Sequence, residues 1–119
     1  MDALNTKKLL NVTTKLGGIG TAGGSGLLAL LFPVQYGTVD QFVVKALMEL
    51  SAYASELPRN DISKIKPSDI TIKQAVLLEE ILREKAKRLN KAFEKNEWTP
   101  RKIDKILWSY GRTICTNGL

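Results

Sequence analysis

Histidine is absent from the 119 residues of this chain, and cysteine occurs once, as Cys115. Without histidine, the chain has no histidine general base, no histidine-ligated zinc and no Cys–His nucleophile. A single cysteine excludes an internal disulfide and is typical of a reducing compartment. We therefore expect a cytoplasmic protein that uses no metal and no cofactor.

Long apolar runs and strand-like alternation are missing as well. The apolar run at residues 27–34 is far too short to span a bilayer, so we expect no membrane association. No segment sustains the period-two pattern of a half-buried strand, whereas several have helical spacing. These patterns predict an all-α fold of about five helices in one domain, with Pro100 opening the last helix and Gly111 ending it.

The expected division of that single domain, 1–119, follows from the loop signals. Residues 57–70 contain Pro58, Asn60, Asp61 and Pro67, which predict a loop or a short helical turn. The preceding part, 1–56, contains two helices joined by a glycine-rich turn and a third helix that Asp40 caps. The following part, 71–112, is expected to form a C-terminal pair of helices.

The charge of the chain is +6, and it lies mainly in the second half. Residues 1–60 carry a net +1 and residues 61–119 a net +5. Lysine and arginine placed against phosphates release condensed counterions, so a basic surplus favours an anionic partner. A basic surface without a specific partner is the alternative. The basic run at residues 85–95 is interpreted as a solvated helix face, with a phosphate-tracking role as its alternative.

Residues 16–20 (LGGIG) have the hydrophobic-x-Gly-hydrophobic-Gly form of a helix-hairpin-helix turn. Two glycines permit a tight turn that leaves backbone amides facing outward, where the N-terminus of the next helix favours a phosphate. An ordinary glycine-rich turn between helices is the alternative. The predicted DNA-binding residues are Lys15, Gly18, Ile19, Gly20 and Thr21. Further glycines at 23, 24 and 26 favour close helix packing over ligand approach.

The order of these features resembles the motif of the helix-hairpin-helix base-excision DNA glycosylases. The resemblance runs from residues 16–20 through 27–32 (LLALLF) to Val39-Asp40, and covers about residues 8–50. A looser resemblance covers 71–112, where residues 99–110 (TPRKIDKILWSY) look like the closing helix of small bacterial relatives. The resemblance to the glycosylases implies that the hairpin binds the DNA backbone. It also implies that Asp40, twenty residues after Gly20, stabilises the sugar cation as a base leaves. The alternative role of Asp40 is a helix N-cap alone.

Two departures from the family limit the implied chemistry. Ala22 stands where the lyase members carry a lysine, so the implied enzyme is a DNA N-glycosylase without lyase activity. About fifteen residues precede the hairpin, so the base pocket is expected to be incomplete or completed by a second copy of the chain. The single cysteine excludes the four-cysteine iron-sulfur cluster of some members.

The sequence thus favours a DNA-binding protein linked to base-excision repair, which contacts mainly the phosphate backbone. One alternative is a helical protein-interaction or oligomerisation module, and homo-oligomerisation is left open. Trp108 and Tyr110 are interpreted as core residues of an apolar helix, with base stacking as their alternative role.

Overall fold

The computed structural model describes residues 3–16 and 20–116, with the backbone alone for residues 3, 4 and 16. Over these residues the chain is all-helical and contains no strand, as the sequence predicted. The helices are α1 (Ala3–Leu16), α2 (Thr21–Leu31), α3 (Gln41–Leu50), α4 (Arg59–Ser63), α5 (Ile72–Ala92) and α6 (Pro100–Thr116). None of the helices in this part of the chain has both the length and the apolar composition needed to cross a membrane.

The longer helices match the predicted ones, and their starts are explained by local chemistry. Thr71 and Gln74 form a reciprocal capping box at the start of α5. Thr99 Oγ1 accepts a hydrogen bond from the Lys102 N–H at 3.2 Å, and Pro100 is the first residue of α6. The predicted loop at 57–70 contains the short helix α4. Helix α5 ends at Ala92.

One hydrophobic cluster joins these helices. It contains Leu10 of α1, Leu28 of α2, Val43 of α3, Leu78 of α5 and Ile103 of α6, each 6% exposed or less. Helix α3 packs mainly on α6, and α1 packs on α2 and α5. This arrangement places the loop between α2 and α3 against the middle of α5 and the start of α6.

Two glycines allow pairs of helices to approach closely. A Cβ at Gly24 would lie 2.7 Å from Thr14 Cγ2, which confirms close packing of α1 on α2 at this position. A Cβ at Gly111 would overlap the carbonyl oxygen of Phe42. The prediction that Gly111 ends the last helix is therefore wrong. The residue is a contact point between α6 and α3, and α6 continues to Thr116.

The buried side of α6 also differs from the predicted one. Ile103 and Leu107 are buried, but Tyr110 is 41% exposed. Gly111 and Ile114 occupy the interface instead. Trp108 is half-buried, and its ring lies edge-on to Phe42 with centroids 5.7 Å apart. The core interpretation of Trp108 therefore holds in part, whereas that of Tyr110 is wrong.

Candidate functional site

The loop between α2 and α3 is held by side chains from other helices. Gly37 N–H donates to Glu79 Oε1 of α5 at 2.9 Å, and Thr38 N–H donates to Asp104 Oδ2 of α6 at 2.6 Å. The next amide, that of Val39, donates to a buried serine hydroxyl of α2 at 3.0 Å. Three successive amides are thus bound by three different helices. This fixes the backbone that leads directly into Asp40.

Gly37 is the residue that lets the loop enter the space between α5 and α6. A Cβ at this position would lie 2.6 Å from the carbonyl oxygen of Pro100, 2.7 Å from Leu82 Cδ1 and 2.9 Å from Asp104 Oδ2. Two of these atoms belong to elements that cannot easily move, namely a backbone carbonyl and a buried carboxylate. Only glycine therefore fits while both carboxylates reach the loop.

Asp40 caps α3. Its Oδ1 accepts hydrogen bonds from the N–H groups of Phe42 and Val43, both at 3.0 Å, which confirms the N-cap role. Its other carboxylate oxygen makes no hydrogen bond with the described residues. The half-buried side chain is therefore fixed through one oxygen and retains the other for an interaction with a ligand.

Asp40 also lies where two clefts meet. The Asp40 cleft, of about 510 Å³, is lined by Thr38, Asp40, Arg101, Asp104, Lys105, Trp108 and Ser109. The hairpin-side cleft, of about 280 Å³, is lined by Ala22, Asp40, Gln41, Pro67 and Ser68. One residue thus connects the first turn of α2 with the exposed side of α6.

The charges in the Asp40 cleft are partly compensated. Arg101 donates to both carboxylate oxygens of Asp104, at 2.8 and 3.0 Å, and to Thr38 Oγ1 at 3.3 Å. Burial raises the pKa of Asp104, and the hydrogen bond from Thr38 N–H and the Arg101 guanidinium oppose that shift. The neighbouring charge of Asp40 adds to the increase. Asp104 is therefore a carboxyl group that the loop and one arginine hold inside the protein.

Glu79 has a different environment. It is completely buried, and its Oε2 has no hydrogen-bond partner among the described residues. Burial raises its pKa from 4.5 to about 8, and the Gly37 hydrogen bond and the charge of Arg83 only partly offset this. Glu79 is accordingly protonated at neutral pH in the folded protein. In that form it holds the loop without placing a full charge in the core.

The predicted DNA-binding residues fall at the junction of α1 and α2. Lys15 is exposed in the last turn of α1, Gly20 is the exposed N-cap of α2, and Thr21 is the first residue of that helix. Gly18 and Ile19 lie outside the described residues. Residue 22, where the resemblance implies a lysine in the lyase members, lines the same cleft as Asp40.

Sequence reasoning missed the two carboxyl groups that hold the loop. Glu79 occupies a core position of α5, on the same stripe as Ala75, Leu78 and Leu82. Asp104 lies beside Ile103 in the same way on α6. A carboxylate in an apolar stripe needs a buried partner, and that was the available signal. The sequence does not reveal that the partners are adjacent amides of one loop.

Comparison with protein-family models, curated proteins and solved structures finds no match to this chain. The resemblance to helix-hairpin-helix glycosylases therefore remains a prediction from the sequence pattern.

Proposed function

We propose that this protein binds DNA through the phosphate backbone, at a surface that runs from the α1–α2 junction past Asp40. The observation that supports the proposal is the position of Asp40, which lines one cleft with Ala22 of α2 and another with Lys105 of α6. The first turn of α2 and Asp40 therefore share one surface.

The chemistry of that surface suits an anionic polymer. Among the described residues no side chain caps the amides at the start of α2, since the N-cap residue is Gly20, which has no side chain. Uncapped amides at a helix N-terminus favour a phosphate oxygen. Lys15 adds a cation at the end of α1. These contacts involve no base edge, so we expect binding with little sequence preference.

Gly20 provides the test of this proposal. Its φ of −68° and ψ of −178° are normal for an N-cap, and a Cβ there would meet nothing within 4 Å. Aspartate and serine are both good N-cap residues, so Gly20→Asp and Gly20→Ser should fold normally. Only the aspartate places a negative charge where the phosphate is expected.

The measurement is the affinity for a labelled DNA duplex at two salt concentrations. We expect the natural chain to bind in a salt-dependent manner and Gly20→Asp to bind about tenfold more weakly, roughly 1.4 kcal/mol. Gly20→Ser should bind more tightly than Gly20→Asp. Equal affinities of the two variants would exclude the start of α2 as the contact, and absence of binding at low salt would exclude the whole proposal.

A second candidate function, a monofunctional DNA N-glycosylase, is favoured by the Asp40 cleft itself. Its volume of about 510 Å³ lies within the range of small-molecule sites, and Trp108 provides an aromatic wall. Asparagine also caps helices well, so Asp40→Asn should preserve α3. Under this hypothesis the variant binds DNA but releases no base in a single-turnover assay on damaged duplexes. Equal base release by the natural chain and the variant would show that Asp40 takes no part in the reaction.

The alternative of a protein-interaction module is favoured by one apolar groove. It has a volume of about 290 Å³ and lies among Leu47, Leu50, Leu89, Ile103 and Ile106. Ile106 is 54% exposed although it borders the groove. Salt-insensitive self-association without DNA binding would favour this alternative over the proposed function.

A further inference from the structure

One face of α6 combines cations with an aromatic ring. Arg101, Lys105, Trp108 and Arg112 follow one another at steps of four, three and four residues, so they lie along the same side of the helix. The sequence pattern favoured a core position for Trp108, with base stacking as its alternative role. The last three of these residues, Lys105, Trp108 and Arg112, are here called the α6 face.

A depression made of two neighbouring clefts follows the α6 face. Beyond the Asp40 cleft lies a third cleft of about 330 Å³, lined by Trp108, Ser109, Arg112, Thr113 and Thr116. Trp108 and Ser109 line both clefts, so the depression leads from Asp40 toward the end of α6. The surface that begins at the start of α2 is thereby extended along α6.

The cations of the α6 face are available for a partner. Lys105 and Arg112 are exposed, and neither forms an ion pair with the described residues. Arg101 differs, because it is paired with Asp104. The guanidinium of Arg112 lies 5.2 Å from the centroid of the Trp108 ring. Stacking of this kind orients the planar donor group, whose N–H bonds are suited to phosphate.

We propose that the α6 face is a second contact for the phosphodiester backbone of the DNA bound at the α1–α2 junction. The inference rests on the proposed function and extends it to α6. Lys105 and Arg112 are seven residues apart, or roughly 10 Å along the helix axis, which lets the two cations contact different phosphates of one strand. Ser109 and Thr116 offer hydroxyl groups, which are common phosphate ligands.

The test compares two pairs of charge-removing substitutions. Lys105→Ser with Arg112→Ser removes the cations of the α6 face. Lys87→Ser with Lys91→Ser is the matched control on α5, where both lysines are exposed and also form no ion pair with the described residues. Both double variants lower the net charge equally. Affinity for a labelled duplex is measured from low to moderate salt, and urea unfolding verifies that each variant folds.

We expect the α6 pair to lower the affinity by about tenfold at moderate salt. The slope of log affinity against log salt should become shallower by about 1.8, since each lost phosphate contact contributes about 0.9. The α5 pair should leave the slope nearly unchanged. An equal loss in both pairs would show an effect of net charge alone and overturn the inference. If the natural chain binds DNA and the α6 double variant binds with the same affinity and salt slope, the inference is overturned and the proposed function stands. Failure of the natural chain to bind would overturn both.

Trp108 gives an independent readout. The sequence contains two tryptophans, and Trp98→Phe leaves Trp108 as the single reporter while the backbone of residue 98 keeps its hydrogen bonds to Asn90. We expect the fluorescence of this variant to change on titration with DNA, along the same isotherm as the affinity measurement. Fluorescence that stays constant through saturation would contradict a contact at the α6 face.

Discussion

Glu79 and Asp104 hold neighbouring amides of one loop under different electrostatic conditions. Asp104 accepts from Thr38 N–H and is paired with Arg101, whose side chain is 38% exposed and reaches the solvent. Glu79 accepts from Gly37 N–H but has no ion pair with the described residues and is completely buried. The comparison shows two ways of placing a carboxyl group in an apolar core. One group is neutralised by a cation, and the other retains a proton.

The largest expected effect comes from removing the paired carboxylate. Asp104→Ala leaves Thr38 N–H without an acceptor and Arg101 without its partner. We expect a loss of about 4 kcal/mol in the free energy of unfolding, because the charge-assisted hydrogen bonds of Asp104 to Thr38 N–H and to Arg101 are all removed. The measurement is urea denaturation at neutral pH. Asp104→Asn is the control, because it keeps an acceptor for the loop and should lose less. Equal losses would indicate that the charge, and not the hydrogen bond to the loop, sets the stability.

The local signals in the sequence were sufficient for most of the fold. Asp40, Thr71 and Thr99 are caps that act within three residues, and a single sequence contains that information. Gly111 was misinterpreted as a helix end. A glycine inside a helix is less favourable than alanine by only about 1 kcal/mol, so it does not have to end the helix. The close approach of α6 to Phe42 outweighs that difference, and this contact depends on the packing of α3.

Only the part of the candidate site that follows from the order of residues along the chain could be predicted. The role of Asp40 was predicted from the resemblance to the glycosylase family, in which an aspartate follows the hairpin. The two carboxyl groups that hold the loop were missed, because their role requires that α5 and α6 both face residues 37–39. The α6 face was missed for a related reason. Whether Trp108 packs inside or lines a cleft depends on how far Phe42 covers it.

The second prediction uses pH to separate the two carboxyl groups. The pKa of Glu79 is raised to about 8 in the folded protein, compared with 4.5 when unfolded. The folded state therefore binds the proton more tightly, and the contribution of Glu79 to stability is complete below about pH 4.5. As the pH rises from 4.5 to 8 this contribution is lost, because the unfolded chain ionises while the folded one must retain its proton.

Glu79→Gln isolates this effect. Glutamine keeps an acceptor for Gly37 N–H and cannot ionise, so the difference in unfolding free energy between the natural chain and the variant should depend on pH. We expect the natural chain to lose about 4 kcal/mol relative to the variant between pH 4.5 and pH 8. Urea denaturation at half-unit pH intervals measures this change. A constant difference across this range would show that Glu79 is not protonated in the folded state.

The smallest expected effect tests how much the planar guanidinium group of Arg101 matters to Asp104. Arg101→Lys keeps the positive charge but loses the planar group that reaches both carboxylate oxygens and Thr38 Oγ1. Because the arginine side chain is 38% exposed, solvent weakens the pair, and we expect a loss of only about 0.5–1 kcal/mol in the free energy of unfolding. Urea denaturation of the two proteins measures the difference. A loss as large as that of Asp104→Ala would mean that the arginine, and not the hydrogen bond to Thr38, keeps the carboxylate in the core. The difference between Asp104 and Glu79 would then depend on the guanidinium alone.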